Sequence, residues 1–295
     1  MESTRPALCL RKLTSADLAF ADSIRALAGW NQTLADWERF LATDPDGCFL
    51  AEWRGTPAGT ATTTIYGAQL AWIGMVLVHP DFRRRGIGRA LLQHAIAYLH
   101  NRGVRCIKLD ATPEGKLVYD ALGFRTEWTL KRWAGRPGAA KRATPAPELR
   151  AWRPADAAFV EPLDTAAFGV WRRSLWVTLG SAGGVGLVTE SKNGGLAGLG
   201  FVRPGSQALH LGPVIANSPE VGLDLIEGLM VRAMEARNPG DTIFWDIPDP
   251  NERAVSWAQG HVLSVQRPLI RMFLGENATL GDPRRQFAIG GPEVG

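Results

Sequence analysis

Cysteine is scarce in this 295-residue chain, which contains only Cys9, Cys48 and Cys106. They are odd in number, widely spaced and lack a Cys-x-x-Cys pair, which argues against a disulfide framework and a thiolate zinc site and predicts reduced, buried thiols. His79, His94, His100, His210 and His261 show no His-x-x-x-His spacing, so no metal site is expected. No run of ~18 apolar residues is present. The opening Met1-Glu2-Ser3-Thr4-Arg5-Pro6 lacks the apolar stretch of a secretion signal. A cytoplasmic protein without a membrane partner is therefore expected, and the Asn31-Gln32-Thr33 glycosylation sequon has no consequence there. Charged residues at 21% and apolar residues at 45% are ordinary proportions, which excludes a disordered chain, a collagen-like fibre and a coiled coil.

What is present divides in two. The length exceeds the ~100 to 200 residues of one domain, and the charge is uneven. Residues 1–147 hold 20 Lys plus Arg against 13 Asp plus Glu, a net of +7, whereas residues 148–295 hold 13 against 16, a net of −3. The cations Arg83, Arg84, Arg85 and Arg89 cluster, which suits a focused phosphate site better than the long basic face that duplex nucleic acid requires, so no nucleic-acid partner is expected. The stretch Trp133 to Glu148 has no apolar periodicity and carries Gly135, Pro137, Gly138, Pro145 and Pro147, the composition of a linker. The flanking halves echo one another. Ala16-Asp17-Leu18-Ala19-Phe20 recurs as Ala155-Asp156-Ala157-Ala158-Phe159. Ile107-Lys108-Leu109-Asp110 followed by Pro113 and Gly123 recurs as Ile243-Phe244-Trp245-Asp246 followed by Pro248 and Gly260. Duplication of one fold is the expectation.

In the first half, Ala7 to Leu13 reads as a strand, and Thr14 or Ser15 caps a helix through Leu18 and Ile24 to Leu27. A second helix lies near Leu34 to Leu41. Cys48 to Trp53 and Gly59 to Tyr66 form a hairpin around Arg54-Gly55-Thr56-Pro57, and Ala71 to Val78 extends the sheet. Leu91, Leu92, Ala95, Ile96 and Leu99 share one face of a helix from Arg89 to His100. Cys106 to Leu109 is a strand, and a short helix from about Glu114 to Leu122 ends at Gly123, the residue type suited to a left-handed cap. The class is α+β.

The strongest local signal is a strand, an arginine-rich glycine loop and an amphipathic helix, running from Trp72-Ile73-Gly74-Met75-Val76-Leu77-Val78-His79-Pro80 through Asp81-Phe82-Arg83-Arg84-Arg85-Gly86-Ile87-Gly88-Arg89. Glycines let the backbone approach a pyrophosphate, amides at the helix start point at it, and the helix dipole and the arginines offset its charge. A solvated basic turn before an ordinary helix is the plain alternative. A dinucleotide fingerprint is incomplete, because Leu91 stands where its third small residue belongs, although Asp110 lies at the distance of a ribose ligand. A P-loop is excluded by the absence of Gly-Lys-Ser/Thr.

Arg83-x-x-Gly86-x-Gly88 after Val78-His79-Pro80 resembles the acyl-coenzyme A loop of the GNAT acyltransferase superfamily. Tyr119-Asp120-Ala121-Leu122-Gly123-Phe124 is similar to the helix and Gly-Phe turn that follow the fifth strand in that family. The resemblance covers roughly residues 5–133. Ala28-Gly29-Trp30-Asn31-Gln32-Thr33 with Asp36-Trp37, and Leu109-Asp110-Ala111-Thr112-Pro113, resemble a bacterial subgroup of tandem GNAT proteins whose second half is a diverged GNAT-like domain. The resemblance implies two such domains, each a mixed, mostly antiparallel sheet flanked by helices. They would comprise a catalytic domain at 1–135, a linker at 136–147, a diverged domain at 148–275 and a loosely ordered tail at 276–295.

It also implies an acetyl-CoA cofactor. Backbone groups of Val76, Leu77 and Val78 would pair with the pantetheine arm, and Arg83, Arg84, Arg85, Gly86, Ile87, Gly88 and Arg89 would form the pyrophosphate loop. Tyr119 would protonate the departing thiolate; a packed core tyrosine is its bland reading, and Tyr66 and Tyr98 are read as structural. For a base the candidates are Asp110, His79 and Glu52. Asp110 comes first because it ends a strand beside the cleft, although an aspartate there is commonly a turn cap. Trp30, Asn31, Gln32, Thr33 and Trp37 suit an acceptor pocket, with Trp30 and Trp37 alternatively pinning a helix to the core. In the second half Asn217-Ser218-Pro219-Glu220-Val221 replaces the basic loop, and Ser256 stands opposite Tyr119. That half is expected to close the acceptor side or to form a homodimer, with Trp152, Trp171, Trp176, Trp245 and Trp257 mostly in the core. The expected activity is direct acetyl transfer to the amine of a small molecule or amino-acid-like acceptor. A non-catalytic acyl-CoA sensor and an acetyltransferase for a protein amine are the alternatives.

Overall fold

The computed structural model describes residues 7–67, 69–136, 149–180, 183–192, 194–236, 242–278 and 280–295. The first half runs β1 (Leu8–Lys12), α1 (Leu18–Leu27), α2 (Leu34–Thr43), β2 (Cys48–Trp53), β3 (Thr56–Tyr66), β4 (Leu70–Val78), α3 (Ile87–Asn101), β5 (Cys106–Ala111), α4 (Pro113–Asp120) and β6 (Arg125–Gly135). The second runs β7 (Arg150–Ala151), α5 (Glu161–Phe168), α6 (Arg173–Gly180), β8 (Val185–Glu190), β9 (Leu196–Arg203), β10 (Leu209–Ala216), α7 (Pro219–Ala236), β11 (Ile243–Pro248), α8 (Glu252–Gln259), β12 (Leu263–Gly275) and β13 (Gln286–Ala288). The class is α+β with a mostly antiparallel sheet, as expected. Beyond Arg136, the expected linker lies outside the described residues.

The duplication is visible in side chains as well as in element order. Arg11 donates twice to Asp17, at 2.8 Å each, and once to Glu52 at 2.7 Å. Arg150 repeats the pattern with Asp156, twice at 2.8 Å, and Glu190 at 2.9 Å. In both places the aspartate of the Ala-Asp-x-Ala-Phe repeat starts a helical segment and is tied to the edge of the sheet.

The two halves interleave. Among the described residues one sheet runs β1-β2-β3-β4-β5-β12-β6-β11-β10-β9-β8-β7, with β13 added beside β10. β12, from the second half, pairs antiparallel with β5, while β6, from the first half, pairs antiparallel with β11. The two exchanged strands also pair with each other along Leu263–Phe273 and Arg125–Gly135. Each half thus completes its sheet with a strand from the other, and among the described residues the strands of both halves share one hydrogen-bonded sheet.

Packing follows the exchange. Phe168, Leu175 and Leu179 of α5 and α6 join Trp37, Phe40, Tyr66 and Trp72 in one apolar cluster. Across the molecule, Asn31 before α2 donates to the Ala208 carbonyl at 3.0 Å and accepts from the amides of Gln207 and Ala208. Trp37, Trp72, Trp176 and Trp245 are fully buried; each contributes about 2 to 3 kcal/mol from apolar area removed from water.

Two expectations need correction. Cys48 and Cys106 are buried, but Cys9 on the edge strand β1 is exposed, because its side chain falls on the solvent face. The segment 276–295 is not loosely ordered over its described part. β13 pairs with β10, Phe287, Ile289 and Val294 are buried, and the Tyr66 hydroxyl donates to the Val294 carbonyl at 2.9 Å. Its passage between the halves is tight: a Cβ on Gly74 of β4 would collide with the Glu293 carbonyl. Composition suggested looseness, whereas the burial of Phe287, Ala288, Ile289 and Val294 decides the outcome.

Candidate active site

The site begins where two strands part. β4 and β5 are parallel and paired only from Leu70↔Cys106 to Trp72↔Lys108. Past Trp72, β4 carries a bulge: Thr60 faces Leu77 and Thr62 faces Gly74, so β4 holds one extra residue over that stretch. Met75 sits at φ 51 and the Thr60 hydroxyl donates to its carbonyl at 2.9 Å, which fixes the bulge. The bulge shifts the side-chain alternation of the strand. Met75 and Leu77 enter the core on the α1–α2 side, whereas Val76 and Val78 face the α3–α4 side.

An open cleft of about 660 Å³ follows β4 outward, lined by Val76, Val78, Phe82, Arg83, Arg84, Gly86, Ile87, Gly88, Arg89, Leu117 and Tyr119 among others. Gly86 caps α3 at φ 78 and Arg84 lies at φ 60, so the loop coils tightly before the helix. No atom lies within 4 Å of a Cβ placed on Gly86, so conformation, not space, calls for glycine there. The first turn of α3 presents amides without intrahelical acceptors, and the dipole favours an anion at that end. Arg83, Arg84, Arg85 and Arg89 are exposed. Arg85 lies over the Trp53 ring at 5.4 Å and does not line the cleft. A bare β4 edge, an apolar channel, a coiled basic loop and a helix N-terminus fit the successive parts of coenzyme A: pantetheine arm and pyrophosphate.

A second cavity of about 170 Å³ adjoins the first and shares Val76, Gly115 and Tyr119 with it. Its other walls include Trp30, Gln32, Gly74, Asp110, Arg267, Leu269, Pro292 and Glu293. Tyr119 therefore stands at the junction of both spaces. Gly115, one turn earlier on α4, leaves room for its ring, since a Cβ there would lie 3.1 Å from Tyr119 Cε2. The Gly123-Phe124 turn returns the Phe124 amide to the Tyr119 carbonyl at 3.1 Å and sets Phe124 edge-on to the tyrosine ring. Burial pushes the Tyr119 hydroxyl up to about 12, so it keeps its proton at neutral pH.

The structure sorts the sequence candidates. Trp30 and Gln32 line the cavity, but three of the expected acceptor residues do other work. Asn31 ties α2 to the β9–β10 hairpin. Thr33 caps α2, with its amide and hydroxyl both donating to Asp36. Trp37 is wholly buried in the core. Asp110 borders the cavity, yet both its oxygens accept from Arg271 of β12, at 2.9 Å each. Glu52 is held by Arg11, and His79 accepts from the Asp81 amide in its turn; neither lines either space. Sequence reasoning missed Arg267 and Glu293. They come from β12 and from the tail, more than 140 residues away from Tyr119 in the chain, and no local pattern points to them.

Comparison with known proteins agrees with the geometry. The acetyltransferase (GNAT) family matches residues 18–124, and an acetyltransferase (GNAT) domain matches residues 160–288. The chain belongs to the GNAT superfamily, as a tandem protein with two such domains. The uncharacterized N-acetyltransferase YitH of Bacillus subtilis (strain 168) is 29% identical over 161 residues, 55% of this chain and 56% of that protein. The chain spans about half the length of the curated relatives it matches. A putative acetyltransferase from Pyrococcus horikoshii superposes with a TM-score of 0.82 at 23% identity, covering 100% of this chain and 99% of that one. A tandem GNAT protein from the clavulanic acid biosynthesis pathway gives 0.64 at 17% identity, over 91% of this chain and 98% of that one. At these identities the likeness shows the fold. Among the described residues no helix is long and apolar enough to cross a membrane.

Proposed function

We propose that the protein transfers an acetyl group from acetyl-CoA directly to the amine of a small molecule or amino-acid-like acceptor. The observation that carries this reading is the meeting of the cofactor-sized cleft and a second, smaller cavity at Tyr119. When bound, acetyl-CoA supplies the acyl group as a thioester open to attack by an amine. Backbone groups of Val76, Leu77 and Val78 would hold its arm, and the loop Arg83 to Arg89 its pyrophosphate. Tyr119 holds a proton on Oη where a departing thiolate needs one. The cavity walls Trp30, Gln32 and Leu269 orient the acceptor and exclude water.

The size of the cavity favours a small acceptor over a protein amine. At about 170 Å³ it lies below the ~300 to 1,000 Å³ typical of drug-sized ligand sites, and β12 and the tail wall it in. The test is release of coenzyme A thiol from acetyl-CoA with a panel of small amines, with mass spectrometry of the products. An acetylated amine formed in step with thiol supports the reading. Acetyl-CoA binding with no acetylated product from any amine would identify a binding protein instead.

A further inference from the structure

Three charged residues, Asp110, Arg267 and Glu293, line the acceptor cavity, and the first and last are matched by charges around it. Asp110 pairs with Arg271, and Asp246, just behind, pairs with Arg132 at 2.6 and 2.8 Å. Arg203 donates to Asp36 at 3.0 Å and to Glu293 at 3.1 Å, and Arg39 also pairs with Asp36. The Gln32 side-chain amide donates to the other oxygen of Glu293 at 2.6 Å. Arg267 is different. It lines the cavity, it forms no ion pair among the described residues, and its Nε is buried without a hydrogen-bond partner. Burial and the neighbouring Arg132 push its guanidinium down to about 10, against the opposing pull of Asp246 and Glu293, neither of which forms an ion pair with it. A second polar atom of the same cavity, Gln32 Oε1, is likewise buried without a partner.

Resting on the acetyl-transfer reading, we propose that the acceptor is an amino carboxylate whose carboxylate group is bound by Arg267, the second half of the chain thereby setting the specificity of the first. A guanidinium offers a planar fork of donors that matches a carboxylate, and Arg267, half-buried with its Nε unpaired, presents that fork to the cavity without an ion-pair partner among the described residues. One positive charge without an ion pair calls for a single carboxylate group. The amine end then lies among Glu293, Gln32 Oε1 and Tyr119, acceptors for an ammonium group on one side and the cofactor junction on the other. Glu293 is kept in place by Arg203 and Gln32, so the same cavity holds a fixed negative pole and a free positive one.

The experiment is calorimetric titration of the protein–coenzyme A complex with each proteinogenic amino acid and, beside it, the amine obtained by removing its α-carboxylate. It reads binding, so it does not depend on turnover. A catalytically silent protein that still prefers the amino acid would overturn the transfer reading and keep this one. At least one amino acid should bind about ten- to a hundredfold more tightly than its amine, the worth of one charge-assisted contact. Arg267→Met should erase that difference while leaving coenzyme A affinity unchanged. Arg267→Lys, which keeps the charge without the fork, should retain part of the preference. If no amino acid binds more tightly than its amine, or if Arg267→Met weakens both alike, the proposal is overturned.

Discussion

Asp110 on β5 and Arg271 on β12 are 161 residues apart in the chain and form a two-bonded ion pair, at 2.9 Å for each bond. Its counterpart joins Asp246 on β11 to Arg132 on β6. In each pair the aspartate lies toward the end of the fifth strand of one half and the arginine comes from the exchanged strand of the other. The two pairs join the interleaved strands at the centre of the sheet, and Asp110 itself borders the smaller cavity. Arg271 also lies over the rings of Trp72 and Trp128, at 4.6 and 4.1 Å.

Breaking one member of such a pair leaves a buried charge alone. Asp110→Asn and Arg132→Met should each lower stability by about 3 to 5 kcal/mol, measured by denaturant unfolding. If Asp110 is structural in this way, the folded fraction of Asp110→Asn should retain acetyl transfer. A folded variant with wild-type stability and no turnover would restore Asp110 as a base.

Acid should loosen the contact between the halves at Asp36. Burial opposes its charge, but Arg203 and Arg39, with the Thr33 amide, hold its carboxyl at about 2, below the ordinary 3.8. A carboxyl depressed in the folded state adds stability above its unfolded pKa and loses it as pH falls toward the folded one. Asp36 should thus contribute about 2 kcal/mol above pH ~4, vanishing by pH ~2. Melting curves across that window should drop less steeply in Asp36→Asn, which lacks the group.

Gly86→Val should weaken coenzyme A binding through the backbone, because a β-branched residue at φ 78 costs at least ~1 to 2 kcal/mol in the left-handed region. Arg84→Ala with Arg89→Ala should cost about 1.5 to 3 kcal/mol per lost charge-assisted contact, and less at high salt. Calorimetry with coenzyme A reads both. Equal affinity in all three proteins would remove the loop from the cofactor site.

How much of this was legible in the sequence depends on the range over which each feature is encoded. β4, the Arg-Gly loop and α3 are consecutive, and their apolar alternation, glycine spacing and helical period can all be read locally. Leu18–Leu27 and Leu34–Thr43 were legible for the same reason, each preceded by a threonine with an aspartate three residues on. The exchange of β6 and β12 was not, because pairing with a neighbour's fifth strand leaves the same alternation as pairing with one's own. The acceptor cavity was half legible. Trp30 and Gln32 sit in a segment whose composition suggests a pocket, but Asn31, Thr33 and Trp37 share that composition and face elsewhere, since consecutive side chains point in different directions. Arg267 and Glu293 reach the cavity only through tertiary packing.

The proton on Tyr119 is the point on which the mechanism turns, and thiol release by wild type and Tyr119→Phe, with the amine that reacts fastest, tests it directly. The phenylalanine variant should keep its melting temperature and its affinity for acetyl-CoA but turn over about 10²-fold more slowly. In the wild type, because burial pushes the hydroxyl up to about 12, the rate should not fall near pH ~10, where an ordinary tyrosine loses its proton. Wild-type turnover in Tyr119→Phe, at unchanged stability and affinity, would contradict the account and leave the thiolate to be protonated by water or by the acceptor.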